Sequence, residues 1–171
     1  MTSSKRLLLI AAALVTLASG VALSSASGAS RDSKHFEAHF QESNVSVTNR
    51  IADLGLFQLM NTGTGVVDGF GPATMMLAMS QDRSVTPCGP GSWTNAGIRR
   101  IVVAAGVLIL RNKAYVCQTA AGPVATGKWL VDGDSSTGIF AGARGSGTET
   151  VHIPTAQSSL SGKLKLVGST K

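Results

Sequence analysis

Polar and apolar residues alternate along several short stretches of this chain. Phe36, Ala38 and Phe40 stand between His35, Glu37, His39 and Gln41. That period of two predicts a strand with one buried face, which Val45 and Val47 would extend. Residues 49–60 carry Ile51, Leu54, Leu56, Phe57 and Leu59 without a clean period. They read as a short helix or an irregular loop, with Gly55 arguing against a long helix. Val66, Val67 and residues 73–79 read as one strand interrupted by Gly69, Gly71 and Pro72, because proline cannot donate within a central ladder. Residues 86–92, rich in proline and glycine, form a turn by composition.

The longest apolar stretch, residues 98–110, predicts one long bent strand or two short ones. Asn112 and Lys113 then read as the tip of a hairpin returning through residues 114–119, and Ala121, Gly122 and Pro123 as a second turn. Residues 128–131, 139–143, 148–153 and 160–167 complete the series, with 132–138 as a loop of Asp, Gly, Ser and Thr. About eight short strands separated by regular turns predict an all-β fold, an antiparallel β-barrel, with a β-sandwich as the alternative. Glycines inside strands (Gly106, Gly142, Gly145, Gly162) favour the sharp coiling that a closed barrel requires.

Composition changes this picture at the N-terminus. Lys5 and Arg6 precede an uncharged run over residues 7–18, followed by small residues over 19–30. This is the three-part pattern of a secretory signal peptide, too short in its apolar part for a spanning helix of about 20 residues. Residues 1–26 are thus expected to be a signal peptide, 27–34 a flexible lead-in and 35–171 a single barrel domain. Loss of Lys5 and Arg6 lowers the formal charge from +6 to +4. The remaining cations are scattered, with no run longer than Arg99-Arg100, which argues against a nucleic-acid partner. The expected location is secreted or cell envelope, with no membrane span after cleavage; the oligomeric state stays open. In an oxidising compartment, Cys88 and Cys117 are expected to form a disulfide.

Residues 127–148, GKWLVDGDSSTGIFAGARGSGT, add a resemblance. Thr137, Gly138, Phe140, Ala143 and Gly145 match the G-G-[ST]-G-x-F-x-x-A-x-G hairpin. In this the chain resembles plant allene oxide cyclases, dirigent proteins and exported bacterial proteins of the same superfamily. Gly63-Thr64-Gly65 upstream and the strand holding Gly162 downstream are also similar to the exported members. The pattern departs where Asp134, Ser135 and Ser136 separate Gly133 from Thr137. What the resemblance implies is an eight-stranded, lipocalin-like barrel; it carries over no catalytic residue and no cofactor.

Candidate chemistry is sparse. His35, Glu37 and His39 share a strand face that could hold a metal, but the apolar face opposite and the lack of a third nearby histidine or cysteine favour a solvated outer surface, and no metal is assigned. His152 is expected at the surface or rim. Glu149 shares a face with Val151 and Ile153, so it could point into the lumen and act as a general acid or base. Tyr115, Trp129, Phe140 and Glu149 are the candidate ligand-lining residues, and Trp93 could cap the barrel mouth. The glycine-rich pieces lack the G-K-[ST] of a phosphate loop, and no serine sits in a G-x-S-x-G elbow. The expected function is binding of a hydrophobic small molecule, or an accessory role without turnover. The alternatives are a cofactor-free cyclase or stereochemical guide, and a protein-interaction module.

Overall fold

Every second residue along Ala73, Met75 and Leu77 is buried while Thr74, Met76 and Ala78 face out, so one strand face alone carries this part of the core. The same alternation repeats around the molecule. A computed structural model describes residues 33–51 and 54–168. Its strands are β1 Lys34–Ile51, β2 Leu56–Val67, β3 Gly71–Asp82, β4 Trp93–Val103, β5 Gly106–Thr119, β6 Gly122–Val131, the two-residue β7 Thr137–Gly138, β8 Arg144–His152 and β9 Gln157–Lys165. Neighbours run β4, β3, β2, β1, β9, β8, β6, β5, and β5 pairs back onto β4, closing an eight-stranded antiparallel barrel. Closure removes the free sheet edges that an open sheet of this size would present. The predicted signal peptide and most of the lead-in lie outside the described residues.

Several strand boundaries differ from the pattern reading. Residues 49–60 are neither helix nor loop: β1 runs to Ile51 and β2 begins at Leu56. Two shifts of register in β1, between Ser43 and Ser46 and between Val47 and Asn49, place extra residues in this strand. Such bulges break the alternation and bend the strand. Gly69 and Gly71 flank a full turn between β2 and β3 rather than a bulge in one strand, and the two strands pair from Leu56–Asp82 to Val67–Gly71. Residues 98–110 are the ends of two strands joined at Ala104-Ala105. Asn112 and Lys113 lie inside β5 instead of at a hairpin tip. Residues 139–143 form turns in place of a strand, with Phe140 N–H donating to the Thr137 carbonyl at 3.3 Å and Ala143 N–H to that of Phe140 at 3.0 Å.

One end of the barrel is filled. Phe36, Phe40, Met75, Ile101, Leu108, Leu110, Trp129 and Leu160 project inward there and are buried together. Trp129 is the largest of them, with its ring edge-on to Phe36 at 5.3 Å and its indole N–H donating to the Thr148 carbonyl at 2.9 Å. Its ring fits because the facing positions on β8 and β9 are Gly147 and Gly162. A methyl group on either would overlap the indole, at 2.6 Å in the case of Gly162. The turn after β6 closes this end. Phe140 is buried and stacks at 5.1 Å on Phe70 from the β2–β3 turn. The Ser136 hydroxyl donates to the Asp132 carbonyl at 2.7 Å and accepts from Ile109 N–H at 3.0 Å, tying the turn to β5.

Candidate functional site

Toward the other end, the inward positions of β4, β5 and β6 shrink to Gly97, Ala114 and Ala125 where the filled end has Ile101, Leu110 and Trp129. A barrel wall of fixed circumference that carries small side chains leaves space inside. The space here is a cavity of about 310 Å3, at the low end of volumes that hold small molecules. Leu59, Leu77, Met79 and Val151 supply apolar wall, while Arg83, Trp93 and Ile153 stand around it.

The floor of the cavity is polar. Arg99, wholly buried on β4, sends one terminal nitrogen to Glu149 Oε2 on β8 at 3.0 Å and the other to Ser158 Oγ on β9 at 3.3 Å. The latter nitrogen also lies 3.6 Å from Glu42 Oε1 on β1, an ion pair too long for a hydrogen bond. Asn61 Nδ2 on β2 donates to Glu42 Oε2 at 2.9 Å, and Asn112 Nδ2 on β5 donates to Glu149 Oε2 at 2.6 Å. Six strands thus contribute to one layer holding one guanidinium and two carboxyl groups. Each asparagine must turn its nitrogen to the carboxylate, since an oxygen there would repel it. Both Oδ1 atoms are therefore left without that partner.

Among the described residues, six buried side-chain atoms lack a hydrogen-bond partner: Glu42 Oε1, Asn61 Oδ1, Trp93 Nε1, Asn95 Oδ1, Arg99 Nε and Asn112 Oδ1. All six belong to residues that line this cavity. An unsatisfied buried polar group costs about 1–3 kcal/mol. The clustering therefore points to a surface that exchanges hydrogen bonds with something entering the cavity.

The mouth is stapled. Residues 83–92 between β3 and β4 are tied to β5 by a disulfide between Cys88 and Cys117, whose Cα atoms are 5.6 Å apart. Gln118 Nε2 donates to the Gly91 carbonyl at 3.0 Å, and Ser92 Oγ to that of Gly89 at 2.6 Å. At the start of the loop Asp82 accepts from the Ser84 hydroxyl and amide, and these bonds hold its carboxyl below the usual range. Arg83 then lies over the rings of Phe57 and Trp93, at 4.9 and 4.8 Å, a cation–π pairing at the rim.

Of the four candidate ligand-lining residues, the structure brings only Glu149 to the cavity. Tyr115 faces the opposite way, 46% exposed on the outer wall of β5, because its strand neighbours Ala114 and Val116 take the inward phase. Trp129 and Phe140 are packed into the filled end, away from the cavity. Trp93 lines the cavity wall. His35 and Glu37 pair at 2.8 Å on the outer surface, where the His35 contact holds the Glu37 carboxyl low; His39 and His152 are also exposed. Among the described residues no three His, Cys, Asp or Glu side chains gather as a metal site would require. Sequence reasoning missed Arg99, Glu42, Asn61 and Asn112. Arg99 carried a signal: it shares its strand phase with Ile101 and Val103, which marks an inward position. No known family model matches the chain, and no curated protein matches it.

Proposed function

We propose that this protein is an exported barrel that binds an amphipathic small molecule in the cavity half of its lumen. The apolar body lies against Leu59, Leu77, Met79 and Val151, and the polar end meets the layer around Arg99. The observation that carries this reading is that, among the described residues, all six unpartnered buried polar atoms belong to residues around one apolar-walled space. The disulfide supports a location outside the cytoplasm, secreted or in the cell envelope, in keeping with the signal-like N-terminus. The block around Thr137, Gly138, Phe140, Ala143 and Gly145 supports a kinship with the exported relatives of allene oxide cyclases and dirigent proteins.

Native mass spectrometry of the exported, disulfide-intact protein tests the reading. A noncovalent adduct is expected, absent from Ala125→Phe, in which a ring occupies the cavity while thermal unfolding confirms the fold. No adduct, together with an unmoved melting temperature across a panel of amphiphiles, would refute it. A second reading, turnover without a cofactor, is favoured by two carboxyl groups, each set against Arg99, beside an apolar space. Walls that hold a flexible substrate in one conformer, with a carboxyl at hand to move a proton, need no further group. Isomerisation of the bound molecule, seen as unchanged mass with changed chromatographic mobility, would distinguish turnover from carriage.

A further inference from the structure

The chemistry of the cavity floor restricts the ligand's polar end. Resting on the cavity-binding reading above, we propose that this end is an ammonium group, on an alkyl or other apolar body, and that carboxylate-headed amphiphiles are discriminated against.

Arg99 is the one cation among the described residues of the floor. Each terminal nitrogen makes one hydrogen bond, to Glu149 and to Ser158, with Glu42 Oε1 at 3.6 Å from the second, and Nε has no hydrogen-bond partner. An incoming carboxylate would have to share one guanidinium with two carboxyl groups already set against it. Like charges brought together in a dry site are strongly disfavoured, which is how many sites reject a wrong ligand. The unpartnered atoms on the residues that are at least nine-tenths buried tell the same story: Glu42 Oε1, Asn61 Oδ1 and Asn112 Oδ1 accept, and Arg99 Nε alone donates. The two asparagine oxygens accept because their amide nitrogens are held by Glu42 and Glu149. An ammonium has three N–H donors and no acceptor, matching those three acceptors in number and adding positive charge where carboxyl groups outnumber guanidinium. Arg83, the other cation lining the cavity, lies exposed against the rim aromatics, where solvent screens it from the floor.

The test ranks three probes that share one alkyl chain: octylamine, 1-octanol and octanoate, titrated calorimetrically into the disulfide-intact protein near neutral pH. The amine carries its proton there, as a lysine side chain does. Octylamine is expected to bind tightest, at least about tenfold above octanoate. Glu42→Gln, which keeps shape and replaces the carboxyl by a neutral amide, is expected to lower octylamine affinity severalfold and octanol affinity by less. Octanol or octanoate binding as tightly as octylamine, with that binding abolished in Ala125→Phe, overturns the ammonium assignment and leaves the cavity reading standing. Octylamine binding that persists in Ala125→Phe is adsorption elsewhere and also overturns the assignment. No binding of any probe, joined to the absence of a native adduct, overturns both. The wild-type ranking decides the matter even if Glu42→Gln folds poorly.

Discussion

The two halves of the barrel lumen are enclosed by the same eight strands and the same alternation, yet they solve opposite problems. In the filled half, large side chains and inward glycines are matched so that Trp129 occupies the space left by Gly147 and Gly162. In the cavity half, Gly97, Ala114 and Ala125 leave space, and the floor is built from groups that are costly to bury. The first half is organised for stability. The second sacrifices stability for a charged, partly unsatisfied surface, a combination that marks functional sites.

Two substitutions break this comparison most strongly. Trp129→Ala removes the largest buried side chain and its hydrogen bond to Thr148, and is expected to cost about 3–5 kcal/mol in denaturant unfolding. Arg99→Met is expected to cost a similar amount, about 3–5 kcal/mol, for a different reason: it leaves two buried carboxyl groups without their cation. The mechanisms separate on rescue. Adding Glu42→Gln and Glu149→Gln to Arg99→Met restores a neutral layer in which both asparagine bonds survive, and most of the loss should return. No neutralisation elsewhere should rescue Trp129→Ala. Failure of the triple variant to recover would mean that Arg99 stabilises by packing and not by charge.

The staple comes next. Converting Cys88 and Cys117 to serine together opens a loop of 29 residues and is expected to cost roughly 3–4 kcal/mol on the chain-entropy model. The effect should be lopsided. Hydrogen exchange is expected to accelerate in residues 83–92, which the disulfide holds at the mouth, while amides of β6 and β9 beside Trp129 keep their protection. Equal acceleration in both halves would deny the separation between them.

The filled half was also the more legible in the sequence. Phe36, Ala38 and Phe40 mark inward positions because polar residues stand between them, and short strands of this kind between regular turns predict the barrel. The cavity half resists the same reading for a physical reason: its inward residues are polar or small, so they look like surface or turn. Asn112 resembled a hairpin tip because asparagine favours turns, whereas in β5 it is an inward residue bonded to Glu149. Glu42 and Asn61 sit close to the bulged part of β1, where the alternation loses phase. Tyr115 was misplaced by the same error, since a turn at Asn112 frees the phase of the residues after it. Polar residues inside a barrel erase the contrast by which the inside is recognised.

The smallest expected effect sets a second arginine–carboxylate pair against Arg99. Arg111 Nε and a terminal nitrogen donate to Asp132 Oδ2 at 3.0 and 2.7 Å, on the outside of the barrel, with the Arg111 side chain 70% exposed. The Arg111 bond, helped by the Ser135 amide, holds the Asp132 carboxyl below its ordinary value of 3.8. A carboxyl whose folded value is depressed contributes stability that is present above the unfolded value and is lost as pH falls through the folded one. The contribution should therefore be constant above pH 3.8 and fade only below it. In Arg111→Met, the Asp132 carboxyl carbon followed by NMR should titrate nearer to 3.8, and stability near neutral pH should change little because solvent screens the exposed Arg111 end of the pair. A loss comparable to that of Arg99→Met would show that exposure does not separate the two pairs. A small loss, with the titration moved upward, would place the large electrostatic cost where the structure concentrates it, on the buried floor of the cavity.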